Sequence, residues 1–379
     1  MDVESAERMS ELLKRTIDWT YLLEAAYWHG TLPLLYRHLS ATCLHIIPGA
    51  VLDRLRSSIH EITAWNLLLM SELIKLLGLF RSHDIEIVPF KGPVLAVSVY
   101  GNIALRHFWD IDVLVRKRDV AKATQLLIAG GYTPQFKLTR GQQTAYIESY
   151  CEHAFRREDM GSVDLHWGLI PPQFSFAPDP EPLWKRVSRI NLNGHIVSTL
   201  SPEDMCLFLS LHGAKHCWSQ LNWIVDMAEL IRAYKEIDWE LTIDRAGAMG
   251  SQRMLFLGLF LARDLLQAPI PDEVAQKARS DRRITSLADR VYGMLFPRER
   301  IRAISIKQKL HYVETMDRMS DRMRFWVGYI VPTPLEWRLL RLPRSLSFLY
   351  YLLRPVRLVA KHGRKALKRI ISRNEAKAQ

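Results

Sequence analysis

The sequence predicts an α+β protein in which a small mixed-sheet core is flanked by an N-terminal helical segment and a C-terminal helical domain. Three observations carry this. Apolar residues recur at three- and four-residue spacing up to residue 83, the pattern turns extended between 84 and 200, and it becomes helical again from Ser201 almost to the end. The segments that follow are 1–83, a helical segment packing on the core; 84–200, the α/β core; 201–334, the helical domain; and 335–379, a basic amphipathic tail.

In the opening segment, Leu12, Leu13 and Ile17, then Leu22, Leu23, Ala26 and Trp28, then Leu32, Leu34, Leu35 and Tyr36 are spaced as the buried faces of helices. Pro48 interrupts. A long amphipathic helix is expected from Val51 to His83, its apolar side made by Leu55, Ile59, Ile62, Leu69, Leu73, Leu76, Leu77 and Phe80. Asn66, Glu72 and Lys75 argue against reading it as a bilayer span. Ile85, Ile87, Val88 and Phe90 then form a short strand, Gly92 ends it, and Pro93 suits the first turn of a helix over Val94 to Tyr100. A loop carrying Arg106 leads to a strand at Ile111 to Val115 and a helix from Asp119 to Ala129, stopped by Gly130-Gly131. Extended segments are expected at Tyr132 to Lys137, Cys151 to Arg157 and Ser162 to Gly168, the last two joined by a turn at Glu158-Asp159-Met160-Gly161. Ile170 to Pro182 reads as a Pro-rich irregular loop, and Val197 to Leu200 as a brief strand. Ser201 caps the next helix, with Pro202 at its first position. Helices follow at 202–216, 221–234, 238–248, 251–267, 271–279, 281–296 and 304–328, without an internal repeat at a fixed period.

With 48% hydrophobic and 24% charged residues the chain is folded globular protein, and general disorder is excluded. Its net charge of +12 is concentrated at one end: Leu335 to Gln379 holds twelve Lys or Arg against two Glu, so 12 − 2 gives +10 there and 12 − 10 leaves +2 for the rest. In that tail Val356, Val359, Leu367, Ile370 and Ile371 alternate with Arg357, Lys361, Arg364, Lys365, Lys368 and Arg369. This basic amphipathic pattern suits an anionic membrane surface or an acidic partner, with a solvated helix as the plain alternative. No nucleic-acid module or interleaved aromatics accompany the charge, so nucleic acid is not expected as a partner. Cys43, Cys151, Cys206 and Cys217 show no CxxC and read as buried free thiols. The N-terminus lacks the basic and apolar regions of a secretion signal, and the apolar runs Met254 to Ala262 and Leu346 to Leu353 fall short of the roughly 20 residues of a bilayer span. The expectation is a cytoplasmic protein, soluble or peripheral at the inner membrane face.

The chemistry concentrates at residues 86–115, EIVPFKGPVLAVSVYGNIALRHFWDIDVLV. Residues two apart on a strand point to one side, so Asp110 and Asp112 project together while Ile111 and Val113 turn to the core. Two carboxylates on one side repel unless a cation lies between them, and Mg²⁺ takes such oxygen ligands together with substrate phosphates. A DxD spacing is common by chance, and an idle, solvated pair is the plain alternative. The neighbours strengthen the metal reading. Lys91-Gly92-Pro93 stands where a strand gives way to a helix, so free N–H groups, the helix dipole and the Lys91 charge point to a common space suited to phosphate. Arg106 could clamp a second phosphate oxygen. Read plainly, these are two surface charges and a turn. In Ser162-Val163-Asp164-Leu165-His166-Trp167, alternation puts Asp164 and His166 on the outward face of a strand expected beside the first. Asp164 is then a further metal ligand or the base for an acceptor hydroxyl, with His166 assisting, although a single histidine more often plays a structural part.

The run FKGPVLAVSVYGNIALRHFWDIDVLV, followed by VAKATQLLIAGGYTP and later VDLHW, resembles the uncharacterised bacterial nucleotidyltransferases of the DNA polymerase β-like superfamily. LPLLYRHL, LHGAKHCWSQLNWIVDMAELI and IDWELTIDRAGAMGSQR extend the resemblance over most of residues 30–270, and the order Lys-Gly, Arg, Asp-x-Asp, Asp-x-His is its most specific part. The resemblance implies a nucleotidyltransferase core and transfer of a nucleoside monophosphate from an NTP by two Mg²⁺ ions. Asp110 and Asp112 would be ligands and Asp164 the third acid. The chain departs from the wider superfamily at the turn, where Gly-Ser is replaced by Lys91-Gly92, so phosphate contact falls to the backbone and Lys91.

Further on, His212 and His216 share a helix face at a spacing compatible with metal, but Gly213 breaks the HExxH pattern. Lys215, His212 or His216 is expected to face the cleft and contact phosphate or acceptor, with packing of His216 on Trp218 as the plain alternative. Asp226 is read as structural. The acceptor, a small molecule, glycan or peptide, is expected between the core and the helical domain. The competing reading is a non-catalytic nucleotide-binding or adaptor protein held peripherally at a membrane by its tail.

Overall fold

Amphipathic periodicity becomes packing first at the N-terminus. Helices Val3–Leu13, Trp19–Trp28 and Leu32–Thr42 bury Leu13, Leu23, Ala26, Leu32 and Leu39 against Leu55 and Ile62 of the long helix Gly49–Arg81. Asp18 caps the second of them by accepting from the Tyr21 amide at 3.0 Å. The computed structural model describes residues 3–42, 44–172, 174, 180–296, 306–328, 331–340, 346 and 348–358. The chain forms two compact units, residues 1–137 with 147–317, and residues 138–146 with 318–379.

By length and composition the helix Gly49–Arg81 could cross a membrane. Its buried polar residues instead have partners within the protein. Asn66 Nδ2 donates to the Ile103 and Arg106 carbonyls at 2.7 and 2.8 Å, and Glu72 accepts from Tyr132 Oη at 2.8 Å and pairs with Arg157 at 3.1 Å. These contacts fasten the helix to the loop before the second strand and to the far edge of the sheet.

The sheet contains β1 (Ile87–Pro89), β2 (Asp110–Val115), β3 (Thr133–Pro134), β4 (Glu152–Arg157) and β5 (Gly161–His166), in the order β1-β2-β5-β4-β3. β2 and β5 are parallel; the other pairs are antiparallel. A parallel neighbour requires a crossover, supplied here by helix Val120–Ala129 and the β3–β4 pair. The β2/β5 register sets Asp112 opposite Asp164, while Ile111, Val113, Val163 and Leu165 are buried on the core face. The mixed α+β class and the flanking helices are as the sequence predicts.

Several local details differ. The strand expected over Tyr132 to Lys137 shrinks to Thr133–Pro134, and helix Arg140–Ser149 follows, whose sequence RGQQTAYIES offers no apolar stripe to announce it. A second sheet pairs β6 (Ser188–Leu192) with β7 (His195–Thr199). Its turn, Asn193-Gly194, has both residues at positive φ, the Asn-Gly hairpin signal, which the sequence carried and which pairs the brief expected strand with an unexpected one.

The helical domain runs through Pro202–Lys215, Leu221–Ala233, Trp239–Met249, Gln252–Leu266, Asp272–Ser280, Arg282–Leu295 and Ile306–Thr315. Ser201 caps the first, accepting from the Asp204 amide at 3.2 Å. Trp218 is wholly buried against Gly213 and Gly258, where an added Cβ would stand 2.5 and 2.8 Å from its ring, so Gly213 is explained by packing. The single helix expected over 304–328 is broken after Thr315. Asp317 turns aside to accept from the Gln252 and Arg253 amides at 2.7 and 3.2 Å, capping helix Gln252–Leu266.

In the second unit, Thr333 and Glu336 form a capping box at helix Pro334–Leu339, and buried Glu336 pairs with Arg354 and Arg357 of the helix at 349–358. Arg357, read from the sequence as part of a basic face for an anionic membrane surface or an acidic partner, is paired with an internal carboxylate. The tail pattern from Val359 through Ile371 lies outside the described residues, as does Cys43; Cys151, Cys206 and Cys217 are buried free thiols.

Candidate active site

Alternation along β2 and β5 turns Asp110, Asp112, Asp164 and His166 away from the core face, toward a cavity of about 410 Å³ closed on its other side by helices Pro202–Lys215 and Leu221–Ala233. Asp112, Asp164 and His166 each bring a ligand atom within 4.8 Å of the others. Asp112 is buried. Its Oδ1 accepts from Lys91 Nζ at 3.1 Å and from His166 Nε2 at 3.0 Å, whereas its Oδ2 is buried without a partner. A carboxylate can only accept here, so His166 carries its proton on Nε2 and orients Asp112. Its Nδ1 lies 3.5 Å from Glu152 Oε2, and Lys215 Nζ is 3.6 Å from Glu152 Oε1.

The carboxylates have separate electrostatic fates. Burial alone would raise the Asp112 pKa, but Lys91 and His166 overcome it and hold the group below the usual carboxylate range. The Lys91 ammonium, disfavoured by burial, is kept charged by Asp112 and Asp110, and its pKa is raised. Asp110 is raised by burial and then by Asp112. Asp164 has no hydrogen-bond or ion-pair partner for its carboxylate among the described residues. Burial, then Asp112 and Asp110, push it up to about 7. The two carboxylates of this group, one with a buried oxygen orphaned and one uncompensated, offer the hard oxygens that suit a divalent cation such as Mg²⁺, while Asp110, expected as a ligand, is not part of the group among the described residues.

Gly92 sits at φ 51° immediately before helix Pro93–Ser98, and a Cβ there would lie 2.8 Å from the Asp110 carbonyl oxygen. The glycine therefore lets the turn close against the strand that carries the acids, a reason independent of phosphate approach. Arg106 is buried with its Nε and Nη2 on Asp226 at 2.7 and 2.9 Å, and Tyr100 Oη donates to the same carboxylate at 2.6 Å. The guanidinium expected to clamp phosphate thus spends two of its nitrogens joining the sheet side to helix Leu221–Ala233. Among the described residues its Nη1 has no hydrogen-bond partner.

The family model described as "Uncharacterised nucleotidyltransferase" matches residues 15–267, more than half of the chain. The chain belongs to that nucleotidyltransferase family. Among solved structures it is similar to the lincomycin-bound lincosamide antibiotic adenylyltransferase LnuA, at 18% identity over 43% of this chain and 97% of that one, with a TM-score of 0.33. It is also similar to an antigenic nucleotidyltransferase-like protein from Paracoccidioides brasiliensis, at 16% identity over 58% and 92%, TM-score 0.33. A third is the antibiotic-resistance factor ANT(2'')-Ia, at 12% over 59% and 95%, TM-score 0.29. Comparison with curated proteins gives no match.

In this nucleotidyltransferase, then, Lys91, Arg106, Asp110, Asp112, Asp164, His166 and Lys215 all line one cavity, with Gly92 directly behind Asp110. His212 and His216 line it too, their rings 4.6 Å apart and both against Trp223. His216 packs on Trp223, and neither histidine belongs to a three-ligand metal group among the described residues. Glu152, Asp226, Tyr100 and Trp223 are site residues that sequence reasoning missed or set aside. Glu152 is the β4 partner of His166 in the register, visible only once the strands are paired; Asp226 and Tyr100 meet across 126 residues, with no local signal.

The site's histidines set an acid limit. Burial, followed by Arg106 for His107 and Lys215 for His216, lowers both to about 4, and burial takes His212 well below its ordinary value of 6.5. The folded chain holds them neutral while the unfolded chain protonates them, so their contribution to stability is lost as pH falls from about 6.5 toward 4. In an Asp164→Asn background, which removes the opposing titration of the raised Asp164 carboxyl, denaturant unfolding at pH 7.5 and 5 should show a lower midpoint at pH 5; a higher one would contradict the burial of neutral imidazoles.

Proposed function

We propose that the protein moves a nucleoside monophosphate from an NTP to a hydroxyl of its acceptor, a small molecule, glycan or peptide, in a Mg²⁺-assisted reaction centred on Asp110, Asp112 and Asp164. The observation that carries this reading is the orphaned, buried Asp112 Oδ2 beside the uncompensated Asp164 carboxylate at the floor of the cavity. Divalent ions held by the three aspartates, two in the arrangement implied by the sequence resemblance, would polarise the α-phosphoryl group and acidify the acceptor hydroxyl.

The chain's own groups have distinct tasks. Lys91 and His166 fix Asp112 by its Oδ1 and leave Oδ2 free. The Lys91 ammonium also brings positive charge to the cavity for the triphosphate. The Arg106–Asp226 pair holds the two walls together. Asp164, where its carboxylate is not engaged by an ion, is suited to take the acceptor proton. The acceptor oxygen bonds to the α-phosphorus, the bond from that phosphorus to the bridging oxygen breaks, and pyrophosphate leaves. Incubation with Mg²⁺, labelled NTPs and acceptor pools, read as label transfer with pyrophosphate release, tests this. Activity is expected in the wild type and none in the Asp110→Asn, Asp112→Asn double variant; equal turnover by the two would sink the proposal.

A further inference from the structure

The transfer chemistry gives no task to Trp109. Trp109 precedes Asp110, lines the same cavity and remains 55% exposed. It is nevertheless fixed by rings from three parts of the chain: His107 at 4.3 Å, Trp65 of the long helix at 6.3 Å and Tyr27 of helix Trp19–Trp28 at 6.4 Å. The loop beneath it is pinned by Asn66, which holds the Ile103 and Arg106 carbonyls. His107 is buried, lines the cavity and has an Nε2 with no partner. A rigid indole left half in water beside an orphaned ring nitrogen is what a flat, polar-edged aromatic ligand would cover.

We infer that Trp109, backed by Tyr27 and Trp65 and edged by His107, is the subsite on which the nucleobase of the triphosphate stacks. The inference rests on the nucleotidyl-transfer reading and adds to it. The base is tethered through a single ribose to the α-phosphorus that the aspartates must face, and Trp109 is the chain neighbour of Asp110. The acceptor carries no such tether, and the His212, His216 and Trp223 wall is left for it. Stacking reads the π face and tolerates different bases, so larger purines should bind more tightly than pyrimidines, without strict selection.

The test is calorimetric titration, with Mg²⁺ present, of non-hydrolysable ATP and UTP analogues and of inorganic tripolyphosphate into wild type, Trp109→Ala, Trp109→Leu and Trp109→Phe. Trp109→Ala and Trp109→Leu should weaken the ATP analogue by about tenfold to a hundredfold. The UTP analogue should lose less, Trp109→Phe should restore most of the affinity, and tripolyphosphate should bind all four alike. Trp109→Leu keeps apolar bulk, so it reports on stacking even if the alanine variant is poorly folded. ATP-analogue affinity within twofold of wild type in the leucine variant would overturn the inference, as would an equal loss for tripolyphosphate. A loss confined to acceptor use would assign the indole to the acceptor and also overturn it. Failure of the underlying reading has a different signature: tripolyphosphate binding that ignores Asp164→Asn.

Discussion

Asp164→Asn should sharply slow transfer while making the metal-free protein more stable. The carboxylate has no partner of opposite charge, and burial with Asp112 and Asp110 raises its pKa from 3.8 to about 7. The folded chain thus favours the protonated form. That contribution is complete below the unfolded value near 3.8 and is lost as pH rises through about 7. Asparagine, neutral at every pH, avoids the loss. The stability difference between variant and wild type should be close to nil at pH 4 and grow to on the order of 1–3 kcal/mol by pH 8. The buried histidines are common to both proteins and cancel in the difference. Transfer should fall by roughly 10²-fold or more, the scale of a lost proton acceptor, and further if ion binding goes with it. Paired thermal scans and transfer assays across this pH range check both halves; joint loss of stability and activity would mean that Asp164 supports the fold.

Asp226→Ala is the second large effect, and its direction is opposite. The residue accepts two hydrogen bonds from Arg106 and one from Tyr100, all from buried or half-buried groups. Removing the carboxylate leaves the Arg106 charge buried without its counter-ion, a loss of about 3–5 kcal/mol. Replacing both partners, Arg106→Met with Asp226→Leu, should recover part of that, because no unpaired charge remains; Tyr100 would still lack an acceptor. Urea unfolding of the two variants distinguishes an ion pair that joins the walls from a dispensable surface contact, for which both changes would be near neutral.

What was legible in the sequence follows from the range of the interactions. Asp110 and Asp112 could be placed on one face because strand alternation is local, and Ser201 could be read as a cap because its bond spans three residues. The pairing of Asp112 with Asp164 needed only the expectation that two strands neighbour each other, and the register supplies it. Arg106 was legible as a site residue but not as the partner of Asp226, since nothing local links a loop to a helix 120 residues away. Glu152 carries no local signal in the sequence, and only the pairing of β4 with β5 sets it opposite His166. Gly92 was singled out for phosphate approach, yet the contact that requires it is the Asp110 carbonyl, visible only when turn and strand are brought together.

In the proposed reaction the three aspartates hold the ions that serve the triphosphate. Calorimetric titration of Mn²⁺ into the protein with a non-hydrolysable NTP bound tests it without knowledge of the acceptor, using Asp164→Asn as the folded control. Two ions per chain are expected in the wild type, with uptake weakened or lost in the variant while its thermal midpoint holds or rises. A wild-type chain that takes up no ion, or a variant whose titration overlays that of the wild type, would contradict it.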